Sequence, residues 1–273
     1  MQKPRVVIFV QARSGSTRLP NKILKRVLGK ELLILMIERL HRAKTADQVV
    51  VLTTTNPADD GILHLCAAHG IPCARGSELD LLDRHYEGAC QFSADAVVKI
   101  PSDCPLIDPA VVDRVIGCYL DADGGNDFVS NLHPASYPDG NDAEIFSFAT
   151  LKTAWQQATR DFEREHTTPF IWEQPGRFKI GNVLWESGLD YSTSHRWTRD
   201  YDVDFEFIKA VYEELYPKQQ AFGLPDILSL LAGRPDIYEL NSRHAGKYWY
   251  DKHLNELNHI DEYKAKRAEQ VSD

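Results

Sequence analysis

Three cations, Arg13, Arg18 and Lys22, fall within ten residues, and no acid lies among them. The segment is Gln11-Ala12-Arg13-Ser14-Gly15-Ser16-Thr17-Arg18-Leu19-Pro20-Asn21-Lys22. Gly15 lets the backbone turn tightly and approach a ligand, and Ser14, Ser16 and Thr17 supply hydroxyls. Backbone N–H groups joined to fixed positive charge are what a triphosphate requires. The segment is neither a Walker A loop nor a dinucleotide fingerprint, because neither glycine spacing is present.

Acids follow further along. In Ile100-Pro101-Ser102-Asp103-Cys104-Pro105, Asp103 lies just past an apolar run and is a candidate ligand for Mg²⁺, which takes few protein ligands. Asp108, before Pro109, reads as a helix cap. In Arg196-Trp197-Thr198-Arg199-Asp200-Tyr201-Asp202, Asp202 reads as an N-cap, which leaves Asp200 as a second metal ligand. In Tyr137-Pro138-Asp139-Gly140-Asn141-Asp142-Ala143-Glu144, Asp139-Gly140 is a turn signal. Asp142 and Glu144, at i and i+2 on a strand, would share a face and line an acceptor pocket. Arg164-Glu165-His166 precedes Thr167-Thr168-Pro169. No nucleophile context supports covalent catalysis.

The elements that position these groups are read from periodicity. Val6–Val10, Val49–Leu52, Ile71–Ala74 and Ala96–Ile100 read as buried strands. Helices are expected over Lys30–Arg42, Asp59–His69 (with Gly70 ending it) and Leu79–Phe92. This alternation predicts βαβ units and a mostly parallel sheet, with Arg13 and Asp103 at the carboxyl ends of strands, where ligands of such sheets bind. Further on, Val111–Leu120, Phe148–Thr159, Val203–Tyr216 and Asp226–Ala232 read as helices. Asp127–Ser130, Ala143–Phe146 and Arg177–Trp185 read as strands.

The 273 residues carry 31 Lys+Arg and 40 Asp+Glu, a net charge of −9, which argues against a general nucleic-acid binder. It leaves room for one small anion in a local basic cluster. No apolar run reaches membrane-spanning length, and the five apolar residues after Arg5 are too short for a signal-peptide core. A cytoplasmic protein is expected. Five scattered cysteines form no zinc pattern and read as free thiols.

In this order the segments resemble the cytidylyltransferase family that includes CMP-3-deoxy-manno-octulosonate and CMP-sialate synthetases, and within it the spore-coat polysaccharide biosynthesis protein F branch. The motifs are Ala12–Lys22, Ser102–Asp108, Tyr137–Glu144, Arg164–Pro169 and Asp200–Phe205, in a likeness spanning roughly residues 5 to 240. The resemblance implies an α/β fold of the GT-A-like (Rossmann-like) nucleotide-diphospho-sugar transferase type, with a mostly parallel mixed sheet and flanking helices. It implies transfer of CMP from CTP to a small acidic sugar or related acceptor, release of pyrophosphate, a need for Mg²⁺, and a homodimer. Arg13, Ser16, Arg18 and Lys22 would grip the triphosphate, with Ala12, Ser14, Gly15 and Ser102 beside them. Asp103 and Asp200 would hold Mg²⁺, and Asp142, Glu144 and His166 would face the acceptor. The base pocket is assigned to the region of Thr53 (within Thr53-Thr54-Thr55) and Ser77, with Arg84 near. Residues 1–217 would form the nucleotidyltransferase domain, with an insert near 133–180 for acceptor binding or dimerisation. Residues 218–273 would be a helical extension. Ser102-Asp103-Cys104-Pro105 stands where the octulosonate enzymes usually have Gly-Asp-Glu-Pro, and Ile23 replaces the Asn of the sialate enzymes. Both departures concern the acceptor.

Two other readings compete. A GT-A glycosyltransferase would carry Asp-x-Asp, and Asp121-Ala122-Asp123 and Asp202-Val203-Asp204 match those letters. A non-catalytic nucleotide sensor would keep the loop cations without turnover.

Overall fold

The computed structural model describes residues 3–15, 22–122, 125–248, 251 and 253–261. Its centre is β1 (Val6–Gln11), whose first five residues are a continuous apolar run with both faces covered. Val6, Ile8 and Val10 enter one core, and Val7 and Phe9 the other. A strand buried on both faces cannot alternate polar and apolar residues, which is why the run was legible.

After β1 come the hairpin of β2 (Arg26–Val27) and β3 (Lys30–Glu31), then α1 (Leu32–Leu40) and β4 (Gln48–Thr54). Next are α2 (Asp60–Ala68), β5 (Cys73–Gly76), α3 (Leu81–Gln91), β6 (Ala96–Pro101), α4 (Pro109–Leu120) and β7 (Phe128–Ser130). They are followed by β8 (Glu144–Ser147), α5 (Phe148–Gln157), α6 (Asp161–His166), α7 (Pro169–Trp172) and β9 (Ile180–Asn182). Then come α8 (Asp202–Leu215), α9 (Leu224–Gly233) and α10 (Pro235–Glu239).

The main sheet has the order β5-β4-β1-β6-β8-β7-β9. β5, β4, β1 and β6 are parallel, so their carboxyl ends gather along one edge. β8 runs antiparallel to β6 and pairs Glu144 with Lys99. Glu144, at the start of its strand, therefore lies near the end where the parallel strands finish. The mostly parallel mixed sheet with helices on both faces is the expected architecture.

Several boundaries differ from the sequence reading. β5 starts at Cys73 because Pro72 has no N–H to give, while its carbonyl accepts from Val51 at 2.9 Å. Strand pairing in 177–185 is confined to Ile180–Asn182. Asp202 is not the N-cap of α8. Tyr201 holds that position, and the Asp204 carboxylate accepts the Asp200 and Tyr201 N–H groups at 2.8 and 2.9 Å. The short α6 and α7 and the β2–β3 hairpin gave too few periods to be read.

Asp108 caps α4 as expected, accepting from Ala110 N at 2.8 Å, and its other oxygen accepts from Leu224 N at 2.5 Å. Arg39, 1% exposed, donates to the carbonyls of Ile107, Leu106 and Phe222. The Tyr212 hydroxyl donates to Pro105 O at 2.6 Å. The loop after Asp103 is thus held carbonyl by carbonyl against α1, α8 and the start of α9. Asp108→Ala is expected to cost about 2 kcal/mol, since it removes a cap and orphans a buried N–H. An unchanged urea unfolding midpoint would contradict this.

Candidate active site

On one side of the sheet edge, the chain leaving β1 is tied down first. Ala12 N donates to Leu52 O at 2.9 Å. Ser14 N and Ser14 Oγ both donate to Asp59 Oδ1, at 2.6 and 2.5 Å, and the Thr54 hydroxyl donates to Asp59 Oδ2. Burial works against the Asp59 anion, but these bonds prevail and hold its carboxyl below the usual range. Asp59 therefore fixes where the loop begins.

Across β5 lies Arg84, on the first turn of α3 and 4% exposed. A side chain at Gly76 would meet Arg84 Cγ at 3.0 Å, so the guanidinium stem lies flat on the end of β5. Arg84 Nε and Nη1 have no hydrogen-bond partner among the described residues. Burial, then the field of Arg13, pushes its pKa down to about 10, against the pull of Asp59 and Glu78. It remains a cation at neutral pH. A buried cation with unpartnered donors is costly until an anion or a carbonyl meets it. The buried Thr53 hydroxyl is also unpartnered among these residues.

The other side is acidic. Gly140 has φ +107, and a Cβ there would sit 2.7 Å from Trp197 C, so only glycine lets these two segments touch. Asp139 N donates to His195 O at 2.9 Å and Trp197 N donates to Asp139 O at 2.7 Å. This contact brings the Asp139–Glu144 and Arg196–Asp204 motifs together. Arg196, its side chain 1% exposed, donates to Asp139, Asp200 and Asp204 at 3.2, 2.8 and 3.1 Å. Thr198 Oγ1 donates to the carbonyl of Asp103 at 3.2 Å. Buried Arg199 lies in the field of Asp103, Asp200 and Asp204. Burial, with Glu144 and Asp103 adding, pushes Asp142 up to about 6, and burial with Asp142 pushes Asp139 well above the usual range. The cluster is short of positive charge. That fits a divalent cation on Asp103 and Asp200, although no group of three or more His, Cys, Asp or Glu among the described residues forms a closed metal site. Glu144 is ion-paired with Lys99 and accepts from Thr168 Oγ1 at 2.7 Å.

Residues 7–228 match the family model described as cytidylyltransferase. The chain belongs to the cytidylyltransferase family. The solved cytidylyltransferase of Leptospira borgpetersenii is 31% identical, with TM-score 0.81, covering 87% of this chain and 98% of its own. Protein MJ1063 of Methanocaldococcus jannaschii is 36% identical over 87% of this chain and 95% of its own. Spore coat polysaccharide biosynthesis protein SpsF of Bacillus subtilis is 28% identical over 85% and 95%.

Within this cytidylyltransferase the structure gathers Ala12, Arg13, Ser14, Gly15, Thr53, Ser77 and Arg84 around the ends of β1, β4 and β5. Ser102 lies beside β1, its N–H on Gln11 O at 3.2 Å. Ser14 was expected to offer donors to a ligand, but both of its donors are spent on Asp59, so it anchors the loop instead. Ser77 Oγ accepts from Asp80 N at 3.1 Å. The expectations for Ser16 and Arg18 fall outside the described residues, as does the side chain of Lys22. Asp103 and Asp200 both act on the charge of buried Arg199, and Asp200 is ion-paired with Arg196. Asp142 and Glu144 come together, whereas His166 packs edge-on to His253 at 5.4 Å, and it is Thr168 that reaches Glu144. Of the Asp-x-Asp candidates, Asp204 is fully buried on backbone N–H groups and Asp202 pairs with Lys25, while Asp123 is outside the described residues. Asp59, Lys99, Asp139, Arg196 and Arg199 were given no role by sequence reasoning. Asn56-Pro57-Ala58-Asp59 reads as an ordinary helix start, and the others find their partners only through the fold.

Because the folded pKa of Asp59 is depressed, its contribution is present above the ordinary Asp pKa and fades as pH falls through the folded value. Asp59→Asn is expected to cost about 1–3 kcal/mol at pH 7, with the deficit shrinking below about pH 4. Urea denaturation across pH checks this, and a deficit that grows on acidification would contradict it.

Proposed function

We propose that the protein transfers CMP from CTP to a hydroxyl of a small acidic sugar or related acceptor, releasing pyrophosphate, in surface polysaccharide precursor synthesis. The observation that carries this reading is the pairing at one sheet edge of buried Arg84, whose Nε and Nη1 have no partner among the described residues, beside Arg13, with the carboxylates of Asp103 and Asp200. The family membership and the name of the SpsF relative support it.

In this reading the acceptor hydroxyl oxygen attacks the α-phosphorus and gives up its proton to solvent, the bond to the bridging oxygen breaks, and pyrophosphate leaves with that electron pair. Arg13, with Arg18 and Lys22, neutralises the departing phosphates. Arg84 and Thr53 offer their unmet hydrogen-bonding groups to the nucleotide. A base lacking the matching groups would leave them unpaired, which is how a buried polar pocket discriminates. Mg²⁺ held by Asp103 and Asp200 would supply charge neutralisation at the phosphate oxygens. Asp142 and Glu144 receive acceptor hydroxyls, with Lys99 holding Glu144 in place. The chain acts as a homodimer, with residues 133–180 the segment assigned to the interface and to the acceptor.

Thermal unfolding with each nucleoside triphosphate and Mg²⁺ tests the donor. CTP is expected to raise Tm by several degrees, since 100-fold saturation contributes about 2.7 kcal/mol, and the other three far less. An equal or larger shift with ATP, GTP or UTP would reject the donor. Pyrophosphate release across a panel of sugar acids tests the acceptor. With a working acceptor, Asp103→Asn is expected to lower kcat by about 100-fold or more, and full activity would remove Asp103 from the metal site.

A further inference from the structure

One ion pair joins the two halves of the site. Arg164, on α6, donates from Nε to Asp80 Oδ2 at 2.8 Å and from Nη2 to the same oxygen. Its Nη1 donates to Trp155 O, on α5, at 2.7 Å. The guanidinium is therefore locked at the junction of α3, α5 and α6, with its side chain 23% exposed.

Asp80 is where the nucleotide side converges. Its N–H donates to Ser77 Oγ at 3.1 Å. Its Oδ1 caps α3 by accepting from Asp83 N at 2.8 Å. Its carbonyl accepts from Arg84 N at 3.1 Å. One residue thus sets Ser77, the start of α3 and the backbone of Arg84. At the far end of α6, Thr167 N closes the helix on Glu163 O at 3.0 Å, and Thr168 then reaches Glu144. The path Arg84–Asp80–Arg164–α6–Thr168–Glu144–Lys99 consists of hydrogen bonds and ion pairs linked by one short helix. A shift of α6 at one end must move Asp80 or break its bond to Arg164.

We propose that Arg164 is a positioning residue: through Asp80 it holds α3 and Arg84 at the register that receives the nucleotide, and through α6 it ties that register to Thr168 and Glu144 on the acceptor side. Arg164 itself touches neither substrate. The fork geometry matters, since three guanidinium nitrogens serve two partners and a lysine has one. The proposal rests on the reading of the Arg84 side as the CTP site.

The test is calorimetric titration with CTP and Mg²⁺ of the wild-type chain, Arg164→Lys, Asp80→Asn and the double variant, with Tm measured on each. Asp80→Asn keeps an oxygen to cap α3 while losing the charge, so it carries the test if Arg164→Lys does not fold. Each single variant is expected to bind CTP about five- to tenfold more weakly, and the double variant no more weakly than the worse single one, as for residues acting as one unit. A lowered Tm with CTP affinity equal to wild type would reduce the pair to a structural brace and overturn the proposal. Independent, additive losses would also overturn it. A wild-type chain that binds no CTP would overturn the functional reading instead, an outcome that differs from variants binding as well as wild type.

Discussion

The acidic half of the site depends on one buried guanidinium. Asp139, Asp200 and Asp204 come from segments more than fifty residues apart in the case of Asp139, and all three point at Arg196. Brought together alone, these carboxylates would repel and protonate. Burial opposes the Arg196 charge, but its three acids more than offset this and raise its pKa. Arg196 also donates to Lys247 O at 3.2 Å, and Asn241 closes on Arg196 O and Asp204 at 2.8 and 3.0 Å. The C-terminal segment thereby braces the residue that orients Asp200. Removing Arg196 would leave buried acids unpaired, the costly case for a buried charge network.

The opposite half inverts that sign. Arg13 and Arg84 repel each other, and the fields of Asp59 and Glu78 offset this only in part, so Arg84 stays below its usual pKa. A parallel sheet makes the arrangement possible by ending four strands at one edge, with β8 entering from the opposite direction to bring Glu144 there. Excess positive charge over β1, β4 and β5 faces excess negative charge beyond β6 and β8. A metal-bound triphosphate is one ligand that answers both halves at once. The chain's −9 net charge is therefore no guide to what the edge binds; the local distribution is.

The sheet was largely legible because β1, β4 and β6 are buried on both faces, and an unbroken β-branched run can do little else. Asp108 was legible as a cap because its partner is two residues away. Arg196 and Asp139 were not, because their partners are set by the Gly140 contact, and Asp139-Gly140 looks like any turn. Asp202 was misread as the cap because Asp202 is already the first residue of α8, and it is Asp204, at the third position, whose carboxylate folds back to the Asp200 and Tyr201 N–H groups. Arg84 was visible as a candidate, but nothing in the sequence says that its Nε and Nη1 are buried without partners among the described residues. Ser14 shows the reverse: a hydroxyl of the right type in the right loop, already claimed by an acid forty-five residues away.

The central claim is that opposite charge at one sheet edge is built for CTP and a divalent cation. A crystal structure of the protein with CTP and Mg²⁺ tests it most directly. The account predicts the triphosphate against Arg13 and the basic segment that follows it, the nucleotide meeting Arg84, and the ion held at Asp103 and Asp200. A nucleotide bound away from Arg84, or an ion held by other residues, would contradict it.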